Sequence, residues 1–115
     1  MKLEDLFFQE PENGYPPKED SWLLAKNIPS VQGKKCLDMG CGSGIQTAAL
    51  LMQGAGEVAC VDINPDALAK TRQLVSSNFP NAKIETVQSN LFEKVEGKFD
   101  VIVFNAPYVP SEGIK

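Results

Sequence analysis

The sequence predicts an α/β domain built on a parallel sheet, and three observations carry the prediction. Short apolar runs alternate with longer amphipathic stretches, the pattern of strands joined by helical crossovers. The segment Asp38-Met39-Gly40-Cys41-Gly42-Ser43-Gly44 crowds three glycines behind the first of these runs. The last run, Val101-Ile102-Val103-Phe104, leads directly into Asn105-Ala106-Pro107-Tyr108.

Taken in order, a short helix is expected over 19–27, with Asp20 or Ser21 near its start. A strand over Lys35 to Asp38 follows, then a helix to Gln53 rich in good helix formers such as Ala48, Ala49, Leu50 and Met52. Val58 to Asp62 is apolar almost throughout, as a strand covered on both faces is. Asn64-Pro65-Asp66 reads as an N-cap, a first-turn proline and an acid favoured by the helix dipole. They open a helix from Pro65 to about Ser77, with Ala67, Leu68, Thr71, Leu74 and Val75 on one face. A third strand is expected over Lys83 to Val87 and a fourth over Phe99 to Phe104. Such alternation implies right-handed crossovers. The chain shows no repeat, low-complexity segment or linker, so it is read as one domain or part of one.

The glycine segment carries the first chemical signal. A backbone that must approach a ligand closely needs residues without a Cβ, which Gly40, Gly42 and Gly44, spaced by Cys41 and Ser43, provide. Strand, glycine loop and helix form the context of a nucleotide-type cofactor site. The dinucleotide spacing G-x-G-x-x-G fails, because Ile45 or Thr47 stands where its last glycine belongs. Asp38 is a second objection, since a carboxylate there would repel a pyrophosphate. It suits a cofactor that presents an ammonium and a sulfonium, which is S-adenosylmethionine (SAM). The plain alternative is a glycine-rich turn that holds no ligand. Asp62 closes the second strand, and an acid roughly 20 residues beyond such a loop accepts hydrogen bonds from ribose hydroxyls. Its alternative role is as a helix-start acid. Asn64 and Asp66 can cap that helix without it, which leaves Asp62 to the ligand.

The second signal is the turn after the fourth strand, on the side of the sheet where ligands of such folds bind. The Asn105 side-chain oxygen and the Ala106 carbonyl can both accept from a substrate NH2, which orients the nitrogen lone pair. Pro107 holds Ala106 extended and keeps its carbonyl aimed. Tyr108 can stack on a flat amide or base. Methyl transfer from a sulfonium to nitrogen needs orientation more than acid–base help. An ordinary strand-ending turn has the same composition, so that alternative stays open here.

Composition excludes other classes. With no histidine, Ser-His and Cys-His catalysis and most zinc sites are ruled out. Three cysteines without C-x-x-C spacing imply reduced thiols in a cytoplasmic protein. Met1-Lys2-Leu3-Glu4-Asp5 lacks the features of a secretory signal, and no apolar stretch is long enough to span a membrane. A net charge of −4 without a basic cluster argues against naked nucleic acid as a partner, though not decisively.

Four segments resemble the class I SAM-dependent methyltransferases, specifically the HemK-type glutamine N5-methyltransferases of peptide-chain release factors. Tyr15-Pro16-Pro17-Lys18-Glu19-Asp20-Ser21 is similar to the segment that lies over the methionine end of SAM in that family. Asp38 to Gly44 matches its cofactor loop, and Val61-Asp62-Ile63-Asn64-Pro65 its ribose segment. Phe104 to Val109 matches its Asn-Pro-Pro-Tyr turn, with Ala106 in place of the first proline. Asn90, beside Leu91, stands where the family has an aspartate near the adenine amino group.

The resemblance implies a Rossmann-like fold with strand order 3-2-1-4. It also implies that residues 1–115 are the N-terminal SAM-binding part of one methyltransferase domain, without its last three strands. The implied cofactor contacts are Tyr15, Pro17, Asp20, Ser21, Asp38, Gly40, Cys41, Gly42, Gly44, Asp62, Ile63, Asn90 and Leu91. Asn105, Ala106, Pro107 and Tyr108 are the implied catalytic residues, and no metal is implied. The implied partners are a release factor as substrate and a small zinc-binding activator subunit. Alternatives are methylation of an exocyclic amine of RNA or DNA, and a SAM-binding fragment without activity. The continuously apolar fourth strand, with no later strand to pair with it, is expected to promote self-association or to recruit a partner that completes the sheet.

Overall fold

The computed structural model describes residues 2–6, 8 and 19–104. After a single 3-10 turn, Leu3–Asp5, the elements run α1 (Glu19–Lys26), β1 (Lys35–Met39), α2 (Ile45–Met52), β2 (Glu57–Asp62), α3 (Pro65–Asn78), β3 (Ile84–Gln88) and β4 (Val101–Phe104). The four strands form one sheet in the order β3-β2-β1-β4, and all three pairings are parallel. This is the expected order. The chain works outward from β1 through β2 to β3, then returns to place β4 on the other side of β1. The crevice at the carboxyl ends of β1 and β4 is therefore the topological switch point, where ligands of open α/β sheets bind.

Strand alternation sorts the core into two faces. Cys36, Val58, Cys60 and Val103 pack with Ile45, Ala48, Ala49 and Leu50 of α2, Ala25 of α1 and Leu68 and Leu74 of α3. Leu37, Met39, Ala59 and Val61 form the opposite face, where Val87, Val95 and Phe99 join them. The α3 face holds as expected: Ala67, Leu68, Thr71, Leu74 and Val75 are its buried residues. Asn64 caps that helix, its side chain accepting from Asp66 N at 2.9 Å, with Pro65 in the first turn.

One strand boundary changes. The β4 ladder starts at Val101 rather than Phe99, because the Asp100 carboxylate takes the Lys35 amide at 2.9 Å while the Asp100 amide donates to the Lys35 carbonyl at 2.8 Å. A side chain there does the work of a ladder bond. The continuously apolar β4 carries the exposed apolar surface on which its expected self-association rests. Val103 is buried against the helices, but Ile102 and Phe104 on the other face are 51% and 49% exposed.

Candidate functional site

The glycine loop is built by the end of β1 turning against the end of β2. Gly40 N and Cys41 N both donate to the Val61 carbonyl, at 2.7 and 3.0 Å, and Gly44 N closes a turn onto Cys41 O at 2.7 Å. Gly40, Gly42 and Gly44 have φ of 76°, 51° and 90°, in the left-handed region that glycine enters without a Cβ penalty. Two of these glycines face different constraints. A Cβ on Gly44 would lie 3.0 Å from Leu74 Cδ2 and 3.1 Å from Thr71 Oγ1, so this position lets α3 pack closely on the start of α2. A Cβ on Gly42 would meet nothing nearer than Gly40 O at 3.9 Å, so the loop is open there to an approaching ligand. Thr71 supports the underside of the loop, donating toward Gly42 O at 3.4 Å.

Asp62 lies at the loop, but it is not left over for a ligand. Its Oδ2 accepts from Gly42 N and its Oδ1 from Asn64 N, both at 2.9 Å. It thus ties the glycine loop to the start of α3. An ionised carboxylate has about four acceptor positions, so each oxygen keeps capacity for a hydroxyl donor. The end of β3 is stitched alongside: Ser89 N donates to Asp62 O at 3.1 Å, and Gln88 Nε2 to Ile63 O at 3.2 Å. Ser89 then shapes the next turn, donating to Leu91 O at 2.8 Å and accepting from Lys94 N at 3.0 Å. Leu91 takes φ 57°, a left-handed conformation strained for a side chain of this kind and one that tends to mark functional sites. Ile63, Leu91 and Phe92 stay largely exposed near this end of the sheet, and Asn90 is exposed with them. Large apolar side chains held in solvent suit the faces of a flat ring.

Asp38, the acid before the glycine loop, sits in the interior rather than at the surface. It is wholly buried. Its Oδ2 accepts from Thr47 Oγ1 at 2.7 Å, whereas its Oδ1 has no partner. Burial raises the carboxyl to about 7, the Thr47 hydroxyl and amide oppose that rise, and the nearby Asp62 charge adds to it. Cys60, under the same strand ends, is pushed up to about 12, chiefly by burial, and burial likewise raises Cys41. Both thiols are therefore protonated and poor nucleophiles. Gly44 gives α2 no side-chain cap, so the first-turn amides of that helix suit an anionic group.

Among the expected contacts, Gly40, Cys41, Gly42, Gly44, Asp38, Asp62, Ile63, Asn90 and Leu91 all lie at the carboxyl ends of β1, β2 and β3. Ser21 approaches from α1, its carbonyl accepting from the buried Gln46 Nε2 at 2.9 Å. Asp20 lies in α1 with its side chain outside the described residues. Tyr15, Pro17, Asn105, Ala106, Pro107 and Tyr108 also lie outside the described residues. Sequence reasoning overlooked Thr47, Thr71, Ser89 and Phe92 as site residues. The visible signal for Thr47 was a polar Gln46-Thr47 pair in a helix otherwise apolar from Ile45 to Met52.

The residues present fit SAM. A buried carboxylate oxygen without a donor suits an ammonium, the open side of Gly42 admits a ligand, and Asp62 retains ribose-binding capacity. Fold and site together define a Rossmann-like domain of the SAM-using methyltransferases. Residues 18–114 match the methyltransferase small domain family, and the chain belongs to that family. It is 44% identical over 97 residues to a protein of Methanocaldococcus jannaschii provisionally named a protein N5-glutamine methyltransferase, covering 84% of this chain and 48% of that one. It is 38% identical over 79 residues to the release factor glutamine methyltransferase of Agrobacterium fabrum, covering 68% and 27%. Among solved structures, the Thermus thermophilus 16S rRNA N2 G1207 methyltransferase in complex with AdoMet and guanosine superposes with a TM-score of 0.62 at 29% identity, covering 70% and 22%. The chain thus spans half or less of the length of these relatives.

Proposed function

We propose that the chain is the cofactor-binding part of a SAM-dependent N-methyltransferase whose acceptor is a glutamine side-chain amide in a peptide-chain release factor. The observation that carries the chemistry is the pairing of β4 with β1. Phe104 is the register partner of Met39, so the strand leading into Asn105 ends level with the strand leading into Gly40. The similarity to the M. jannaschii protein supports glutamine as the acceptor.

When bound, SAM supplies an electrophilic methyl on a sulfonium. An acceptor nitrogen would take that methyl by displacement at carbon, the bonding pair staying on sulfur and the nitrogen giving up a proton. The chain's part is to bind and orient. Asp62 holds the ribose hydroxyls, and Asp38 faces the ammonium. Ile63 and Leu91 flank the adenine, with Asn90 accepting from its amino group. Tyr15, Pro17, Asp20 and Ser21 cover the methionine end. Asn105 and the Ala106 carbonyl accept from the acceptor NH2, Pro107 fixes that carbonyl, and Tyr108 stacks on the amide plane. Orientation of this kind supplies most of the rate.

The test is incubation with SAM and release factor, followed by mass spectrometry of the tryptic glutamine peptide. One added methyl is expected, lost with Asn105→Ala while SAM binding persists. Methylation of RNA and not of the release factor would replace this reading with the second one, amine methylation of a nucleobase. That reading is motivated by the guanosine in the T. thermophilus complex. Partners consistent with the main reading are the release factor, a small zinc-binding activator subunit, and a second chain or segment at the β4 edge.

A further inference from the structure

The two groups of the glycine-loop region that sequence patterns left unexplained, Thr47 and Cys60, form a buried chain of hydrogen bonds that ends on Asp38. Thr47 Oγ1 donates to Asp38 Oδ2 at 2.7 Å, and the same oxygen lies 3.2 Å from Cys60 Sγ. A hydroxyl has one proton. Since that proton goes to Asp38, the thiol donates to Thr47. The order Cys60 S–H, Thr47 O–H, Asp38 Oδ2 is then fixed. All three side chains are fully buried, and Cys60 keeps its proton because burial disfavours the thiolate. One oxygen of Asp38 is thereby engaged from below and held in place. The other, Oδ1, is left as a buried acceptor without a donor, which native structures rarely tolerate without a role.

We propose that Thr47 is a positioning residue for cofactor capture, holding Asp38 so that Oδ1 is presented to the cationic amino group of the ligand. The inference rests on the SAM reading of the site and deepens it. The geometry makes ligand choice depend on an ammonium, since Oδ1 of an ionised Asp38 can only accept. Other titratable groups face the same carboxylate: Asp62 of β2 and the protonated Cys41 and Cys60 thiols, with Arg72 of α3 acting on Cys60. The Thr47 bonds favour the ionised form of Asp38 against burial. Without the hydroxyl, the carboxylate would be both less fixed and more readily protonated.

The experiment is calorimetric titration of the chain and its Thr47→Val, Thr47→Ala and Thr47→Ser variants, across pH 5.5 to 8.5, with two probes. SAM carries the amino group, and methylthioadenosine lacks it. Thr47→Val is expected to weaken SAM about tenfold near neutrality, the scale of one charge-assisted hydrogen bond. The acid limb of its binding profile should move up by about one pH unit. Methylthioadenosine affinity should be unchanged, and Thr47→Ser should restore SAM binding. Thr47→Ala, checked by circular dichroism for folding, gives the same comparison should valine not fit. Equal weakening of both probes, or an unmoved SAM profile, overturns the inference. Binding of methylthioadenosine but not SAM by the unmodified chain also overturns it while leaving the nucleoside site intact. Binding of neither overturns the reading of the site itself.

Discussion

Replacing Asp38 by asparagine should make the folded domain more stable at alkaline pH while removing its grip on the cofactor. The carboxyl ordinarily ionises near 3.8 and is raised to about 7 by burial. Between those values the folded state binds more protons than the unfolded one, so native stability falls as pH rises through this window and levels off above it. At roughly 1.4 kcal/mol per unit, the penalty on the native chain is on the order of 2 kcal/mol near pH 5 and about 4 kcal/mol near pH 8. Asparagine can still accept from Thr47 and carries no charge, so it is free of this slope. Packing terms are common to both pH values and cancel in the difference. The variant should therefore gain about 2–3 kcal/mol on the native chain between pH 5 and pH 8, a relative rise in Tm on the order of 10–20 °C for a domain of this size. Urea unfolding at the two pH values measures it. Parallel pH dependences for the two proteins would show that Asp38 is not a buried, proton-binding carboxyl in the folded state. In parallel, SAM affinity of the unmodified chain should rise as pH increases to about 7, where Asp38 ionises, and be lost in the variant.

Asp62→Ala should lower SAM affinity by about 1.5–3 kcal/mol and also cost about 1–2 kcal/mol of stability, because Gly42 N and Asn64 N lose their acceptor; calorimetry and urea unfolding read the two effects separately. Gly44→Ala should destabilise by about 1–3 kcal/mol through its left-handed φ of 90° and the Leu74 and Thr71 atoms 3.0–3.1 Å from the new Cβ. Gly42→Ala, with open space around it, should cost only about 1–2 kcal/mol of stability yet weaken SAM binding. Ile102→Lys places a charge on the half-exposed face of β4 and should reduce any concentration-dependent association seen by light scattering; a native chain already monomeric at high concentration would remove the motive for that expectation.

Most of the fold was legible because local pattern and tertiary packing agree. The Ala67 to Val75 stripe, the Asn64 cap and the glycine loop are each specified by residues adjacent in sequence, and each forms as read. The site was less legible where a side chain's partner comes from elsewhere in the chain. Asp62 sits at the expected strand end, but its bond to Gly42 N spans 20 positions and depends on how the loop curls back. Asp38 was visible as an acid, but its burial and its lock by Thr47 follow from the packing of α2 on the sheet. Hydroxyls such as Thr71 and Ser89 carry no distinctive pattern, since the same residue type serves as surface filler elsewhere, and Thr47 showed only as part of a polar pair at the start of the apolar α2.

The chain folds a SAM site and not a dinucleotide site. Equilibrium dialysis with labelled SAM tests it directly. Saturable binding of one SAM per chain is expected, displaced by S-adenosylhomocysteine and not by NAD at equal concentration. No saturable binding, or displacement by NAD as effective as that by S-adenosylhomocysteine, would contradict it.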